Sequence, residues 1–261
     1  MASEESVEYH DRLVALLETV WGEGFLSPGG PEEVALVLEG IDLAGCRVLD
    51  IGCGVGGVDI LLVRDYQAAK VVGIDVEKPV IEKSRRRAVE HGLSDRIEYR
   101  LVDPGPLPFG DETFDVAFSK DAMIHIPDKK ALFEDVFRVL KPAGVFAASD
   151  WMRCDQGPPS ADMQRYVESE GLSFDMAPPE AYARTLEETG FTEVVLKDRN
   201  PWYAELARKE YEQMKGPLYE MLVKRAGKEE TDHNLNVWRN MCIVLESGEL
   251  RPGHMRAFKR G

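Results

Sequence analysis

The sequence predicts an α/β fold: a mostly parallel sheet with helices on both faces, and helical segments added at the N-terminus and late in the chain. Two observations carry this. Short apolar runs alternate with amphipathic stretches through residue 150, the order that builds a parallel sheet between two helical layers. The run Val48-Leu49-Asp50-Ile51 leads straight into Gly52-Cys53-Gly54-Val55-Gly56-Gly57. That reads as a buried strand, a tight turn and the start of a helix at the carboxyl edge of a sheet.

The elements follow in order. Leu13, Leu16, Leu17 and Val20 recur at helical spacing, which predicts a helix near 8–21. Phe25 to Gly30 breaks it, and Pro31 opens a second helix through Leu38. After the glycine turn, Val71–Asp75 reads as a strand, Pro79 to His91 as a helix, and Ile97–Leu101 and Phe114–Phe118 as strands. Leu132, Phe133, Val136, Phe137 and Leu140 mark one face of a helix, stopped by Lys141-Pro142-Ala143-Gly144. Val145–Ala148 is the fifth strand. Beyond Asp150 the alternation ends. A loop at 153–161 precedes a helix near 160–170, a helix from Pro178-Pro179 to Gly190 and a strand from Phe191 to Lys197. Helices follow at 201–226, broken at Gly216-Pro217, and at 232–247, with a last strand from Gly253 to Lys259. The expected division is a helical lid at 1–40, a ligand-binding core at 41–152, a cap at 153–180, and completion of the sheet at 181–261.

The glycine turn describes a nucleotide-type pocket, with helix N–H groups expected to point at the ligand. Gly52, Gly54 and Gly57 also satisfy the spacing of dinucleotide-binding proteins, a weak signal alone. Asp50 sharpens it: a carboxylate beside the turn repels a pyrophosphate and suits a ligand with a cationic head, such as S-adenosylmethionine. Asp75 lies 18 residues after Gly57, near the separation at which an acid meets ribose hydroxyls.

Composition narrows the function classes. The 261 residues are 44% hydrophobic, enough for a full core, and the formal net charge is -15. Such a chain repels nucleic acid and anionic membrane. Cys46, Cys53, Cys154 and Cys242 form no C-x-x-C pair, Met1–Glu5 does not resemble a signal peptide, and no apolar run is long enough to span a bilayer. The expectation is a cytoplasmic protein with reduced thiols. The five histidines are dispersed without zinc spacing, so no metal is expected.

Taken in order, these segments resemble class I methyltransferases with a Rossmann-like sheet. Val48–Gly57 matches the first motif of that family and Asp75 its ribose-binding acid. Asp103 matches the residue that meets the adenine amino group, and Val76 and Pro104 flank these two. Leu107-Pro108-Phe109 through Phe114-Asp115 resembles the family's approach to the fourth strand, and Leu140-Lys141-Pro142-Ala143-Gly144 its turn before the fifth. A narrower likeness lies in Ser119-Lys120-Asp121-Ala122-Met123-Ile124-His125. It resembles a signature of phosphoethanolamine N-methyltransferases and of methyltransferases acting on glycine derivatives. Tyr9 through Gly30, with Gly22-Glu23 and Ser27-Pro28-Gly29-Gly30, resembles their N-terminal helix and loop.

The resemblance implies S-adenosylmethionine as cofactor, S-adenosylhomocysteine as product and a Tyr9–His125 pair closing the site. The ordinary pKa of histidine makes His125 the candidate base for an amine acceptor. Tyr9 would orient His125, Asp121 would hydrogen-bond the amine, and Lys120 and Ser27 would meet the cofactor. Trp151, just past the fifth strand, could attract a methylated ammonium. The departures concern the acceptor. Tyr166 keeps one family tyrosine, whereas Trp151 and Leu172 stand where others would be. Glu170 stands in place of an arginine and Met241 about in place of a lysine, which removes the phosphate clamp. Arg165 and Arg239 are nearby substitutes. The leading expectation is N-methylation of a small amine. Phosphobases, an oxygen or sulfur acceptor, an NAD-dependent oxidoreductase and an inactive cofactor-binding scaffold are the alternatives. Oligomeric state is not legible.

Overall fold

The computed structural model describes residues 9–261, so what the sequence suggests for residues 1–8 lies outside the described residues. Five parallel strands form first: β1 (Arg47–Ile51), β2 (Lys70–Asp75), β3 (Ile97–Leu101), β4 (Phe114–Lys120) and β5 (Leu140–Asp150). With β6 (Thr192–Asp198) and β7 (Gly253–Phe258) they make a seven-stranded sheet of order β3-β2-β1-β4-β5-β7-β6, in which β7 runs antiparallel to both neighbours. The order reverses between β1 and β4, and that crevice is where ligands of such sheets bind.

Neighbouring residues of β1 show why apolar side chains occur on both faces of this strand. Leu49 packs on one face of the sheet with Phe114, Phe133, Phe146 and Leu186, while Val48 packs on the other with Val34, Leu62, Val71, Ile81 and Phe118. Side chains alternate across a strand, and both faces are covered. The first face is covered by α5 (Lys129–Val139) and α7 (Pro179–Thr189). The second is covered by α2 (Gly30–Val37), α3 (Gly57–Arg64) and α4 (Lys78–Glu90).

A further apolar cluster joins both ends of the chain. It draws Leu16 and Leu17 from α1 (Asp11–Trp21), Met163 and Tyr166 from α6 (Ala161–Glu170), and Tyr203 and Ala207 from α8 (Asn200–Lys215). Leu222 comes from α9 (Tyr219–Ala226), and Trp238 and Met241 from α10 (Lys228–Glu246). The expected break at Gly216-Pro217 separates α8 from α9, and Gly227, at φ +93°, separates α9 from α10. Three boundaries differ from expectation by three residues or more. The first helix starts at Asp11, where the His10 ring accepts the Leu13 N–H at 3.3 Å. β5 starts at Leu140, because the Lys141–Gly144 turn stays in the sheet as an irregularity with Ala143 at φ +63°. α10 starts at Lys228. Among the described residues, no helix is long and apolar enough to cross a membrane.

Candidate functional site

The glycine turn is built from the chain's own hydrogen bonds. The N–H groups of Gly52 and Cys53 donate to the Ile74 carbonyl, and that of Gly54 to Asp75 Oδ2 at 2.9 Å. Gly56 donates to the Cys53 carbonyl, and Gly57 to the Gly24 carbonyl at 3.1 Å. This corrects one expectation: the first amide of α3 does not point at a ligand but is taken by the segment after α1. A turn with these amides engaged is a poor cradle for a pyrophosphate, which needs free backbone donors. Glycine is also required sterically. A Cβ on Gly52 would sit 2.1 Å from Ala122 Cβ, and one on Gly57 would sit 2.3 Å from the Gly24 oxygen.

A second correction concerns Asp50. It does not line the cavity in front of the turn but lies buried behind it, against Asp59. Burial and then the Asp59 charge push its carboxyl well up, which favours its neutral form inside the protein. Its contribution to a cationic ligand is therefore indirect.

In front of the turn lies a cavity of about 500 Å³ along the carboxyl ends of β1, β2 and β4. Gly52, Gly54, Asp75, Val76, Asp103, Pro104, Lys120 and Ser27, all singled out in the sequence for the cofactor, line it. Asp75 Oδ2 accepts from Gly54 N–H and Oδ1 from Glu77 N–H, each at 2.9 Å. Each oxygen keeps a lone pair for an outside donor. Burial raises this carboxyl despite those two bonds, so further donors would be welcome there. A pair of vicinal hydroxyls fits that demand.

Lys120 lines the same cavity, yet its ammonium donates to Ser27 Oγ at 2.6 Å, the Pro28 carbonyl at 2.8 Å and Asp121 Oδ2 at 2.9 Å. That engages every donor it has. In this arrangement the ammonium forms a strut between the N-terminal loop and Asp121. Asp121 adopts φ +57° at the end of β4, and its Oδ1 accepts from Ser149 Oγ at 2.8 Å.

A smaller cavity of about 80 Å³ adjoins the first. Tyr9, Leu26, Ser27, Asp121 and His125 line both, so the two spaces meet at these side chains. His125 sits on a 3₁₀ turn, Met123–His125, that is clamped from several sides. The Ile124 N–H donates to buried Asp150 at 3.0 Å, and the Ile124 carbonyl accepts from Asp175 N–H at 2.8 Å. The His125 Nδ1 lies 3.1 Å from the Ser173 carbonyl, and its Nε2 lies 3.5 Å from the Tyr9 hydroxyl.

Trp151, Tyr166, Glu170 and Met241 all line the smaller cavity, as do Trp21, Trp238 and Phe174. Burial raises the Glu170 carboxyl to about 7, against a hydrogen bond from Tyr166. Among the described residues no lysine or arginine lines this cavity, and residues 1–8 contain neither. Arg165 is exposed and paired with Asp162, and Arg239 is exposed and donates to Asn236.

A family profile described as a methyltransferase domain matches residues 42–168. Residues 42–168 thus carry a methyltransferase domain, in a sheet with the class I methyltransferase fold. Phosphoethanolamine N-methyltransferase 1 of Arabidopsis thaliana is 33% identical to this chain over 256 residues, covering 98% of the chain and 51% of the relative. The chain thus spans about half the length of the curated relatives it matches. A Haemonchus contortus phosphoethanolamine N-methyltransferase 2, solved with phosphomonomethylethanolamine and S-adenosylhomocysteine, superposes with TM-score 0.89 at 23% identity. That match covers 98% of this chain and 59% of the other. The Mycobacterium tuberculosis cyclopropane synthase MmaA2 superposes with TM-score 0.79 at 17% identity, over 97% of this chain and 95% of the other. Shared folds of this kind show architecture and leave the acceptor to the site.

Several side chains that shape the site of this methyltransferase domain escaped the sequence reading. Asp150 ends β5 without a motif of its own. Glu18 accepts from Gly24 N–H at 2.8 Å and from Arg87, tying α1 to α4. One signal was available for Glu210: on α8 it falls with Tyr203, Ala207 and Met214 on the buried stripe, where a glutamate is out of pattern.

Proposed function

We propose that this domain is an S-adenosylmethionine-dependent N-methyltransferase acting on a small amine that lacks a phosphate. One observation carries the reading: an acidic, aromatic cavity without a lysine or arginine among the described residues opens onto the larger cavity at Tyr9, Asp121 and His125. Asp75 would accept from the ribose hydroxyls, Val76, Asp103 and Pro104 would surround the base, and Gly52, Gly54 and Ser27 would face the rest of the cofactor. Bound there, the cofactor supplies a methyl group on a sulfonium and leaves as neutral S-adenosylhomocysteine.

In-line displacement needs alignment and exclusion of water more than acid–base power. The acceptor must still lose a proton from its ammonium form. The Ser173 carbonyl beside Nδ1 favours a proton on that nitrogen, which leaves Nε2 with the lone pair of a base. Tyr9 hydroxyl would donate to Nε2 between turnovers and help shut the site. Asp121, fixed by Ser149 and Lys120, would hold the amine. Trp151 and Tyr166 would receive its methyl groups, with Met241 filling the floor. We read 1–40 as a lid and 153–180 as a cap on the core at 41–152. The free cysteines support a reducing compartment.

The names of the relatives favour a phosphobase as the alternative acceptor. Burying a phosphate beside Glu170 without a cation costs several kcal/mol, which argues for the amine. A screen coupled to S-adenosylhomocysteine release separates these readings. Its panel is phosphoethanolamine, ethanolamine, glycine, sarcosine, dimethylglycine and small thiols. The highest kcat/KM on phosphoethanolamine would overturn the exclusion of phosphate, and activity on thiols alone would overturn N-methylation.

A further inference from the structure

Glu210 has a task that the reaction above does not use. Its buried carboxylate accepts the indole N–H of Trp21 at 2.9 Å and that of Trp238 at 3.0 Å. Both indoles line the smaller cavity, and their rings lie 5.2 Å apart. Glu210 itself is behind them and does not line it. The polar edge of each indole is thereby turned away from the cavity, and each presents carbon surface to a ligand. A negative charge behind those rings strengthens their attraction for a cation. Burial raises this carboxyl to about 7, opposed by the two indole bonds and by the Lys120 charge. Lys120 itself is engaged by Ser27, Pro28 and Asp121. As a mere tie between α1, α8 and α10, an anion without an ion-pair partner among the described residues is an expensive choice.

We propose that Glu210 is a specificity-determining positioning residue: acting through Trp21 and Trp238, it makes the smaller cavity select an ammonium whose molecule carries no anionic arm. This goes beyond excluding phosphate. An amino-acid acceptor would bring its carboxylate against Asp121, Glu170 and the charge of Glu210, with no lysine or arginine among the described residues lining the wall to meet it. The inference rests on reading the smaller cavity as the amine site.

N-methylethanolamine and sarcosine test it. Both carry a secondary ammonium on a short chain, one ending in a hydroxyl and the other in a carboxylate. Each is titrated by calorimetry into the full chain saturated with S-adenosylhomocysteine, at about pH 8.5, where a carboxyl raised as far as that of Glu210 is ionised. The variants are Glu210→Gln and Glu210→Asp. The unmodified protein is expected to prefer N-methylethanolamine by about tenfold or more, Glu210→Gln to erode most of that preference, and Glu210→Asp to keep it. A ratio of two affinities on one preparation cancels losses of folded protein. If Glu210 is only structural, both affinities fall together and the ratio stays, which overturns the proposal. So does a preference for sarcosine, or failure of both amines to bind. Gln leaves one indole N–H without an acceptor. If that variant does not fold, the double variant Glu210→Gln/Trp21→Phe removes the unmatched donor and carries the same test. Turnover is measured separately. An amine that binds with the expected ratio but is not methylated counts against the N-methyltransferase reading and leaves the role of Glu210 standing.

Discussion

The Gly24 carbonyl accepts the N–H of Gly57 at 3.1 Å, so the segment after α1 is fastened to the first residue of α3. The contact is close enough that neither residue tolerates a side chain: a Cβ on either would approach the other's backbone within 2.7 Å or less. Glu18 and Arg87 brace the same junction. The N-terminal segment and the cofactor turn are thus one mechanical unit.

Gly57→Ala therefore tests that unit. The added methyl meets backbone, which cannot swing aside, and overpacking of this kind costs about 1–3 kcal/mol. We expect weaker binding of S-adenosylhomocysteine and faster proteolysis between residues 9 and 30. Calorimetry and limited proteolysis measure the two. An unchanged dissociation constant would show that the junction does not serve the cofactor.

Asp75→Ala removes an acceptor for two outside donors and for the Gly54 and Glu77 amides. Loss of charge-assisted bonds of this type weakens binding by about 1–3 kcal/mol. Equal affinity in variant and parent, again by calorimetry, would mean that the larger cavity is not the cofactor site.

His125→Ala should lower kcat by about 10²–10⁴ if the ring is the base, with little effect on S-adenosylhomocysteine affinity. Tyr9→Phe removes the hydroxyl that faces Nε2 and should cost less. Parallel losses of rate and cofactor affinity in His125→Ala would assign the ring a structural role, as a prop for the clamped 3₁₀ turn.

Stability should rise as pH falls from about 8 to about 5. Burial raises Asp150, Glu170 and Glu210 each to about 7. Unfolded, these acids titrate near their ordinary values, so between the two the folded chain binds more protons than the unfolded one. Their full contribution is present below the unfolded value and is lost as pH rises through about 7. Glu33 works the other way. Burial opposes its ionisation, but hydrogen bonds from His254 and Arg199 outweigh burial and hold it at about 2. Its contribution is present above the ordinary glutamate value and is lost as pH falls toward about 2. Scanning calorimetry should give a Tm several degrees higher at pH 5.5 than at pH 8. Glu210→Gln should flatten that slope. A Tm that climbs steadily with pH would contradict these assignments.

The sheet was legible because its signals are local. The apolar run Val48–Ile51, the glycines after it, and Asp75 at the end of the next strand each report a backbone conformation fixed by neighbours in the chain. The meeting of Tyr9 with His125 was anticipated only through resemblance, since nothing local links positions 116 residues apart. Asp50 and Lys120 show what such local signals leave out. Their positions in the chain were read well, but the direction of each side chain depends on groups brought by distant segments: Asp59 from α3 for one, Ser27 and Pro28 for the other.

The sequence by itself determined the alternation of strands and helices, the glycine turn and the acids that follow it. Tertiary structure alone decided which donors and acceptors are already engaged. The Gly57 amide, the ammonium of Lys120 and the carboxylate of Glu210 all look available in the chain, yet each is taken by a partner from another element. Periodicity encodes which face of an element is buried, because burial follows spacing along one helix or strand. Hydrogen-bond partners are set by how separate elements pack against one another, and no spacing within a single element records that.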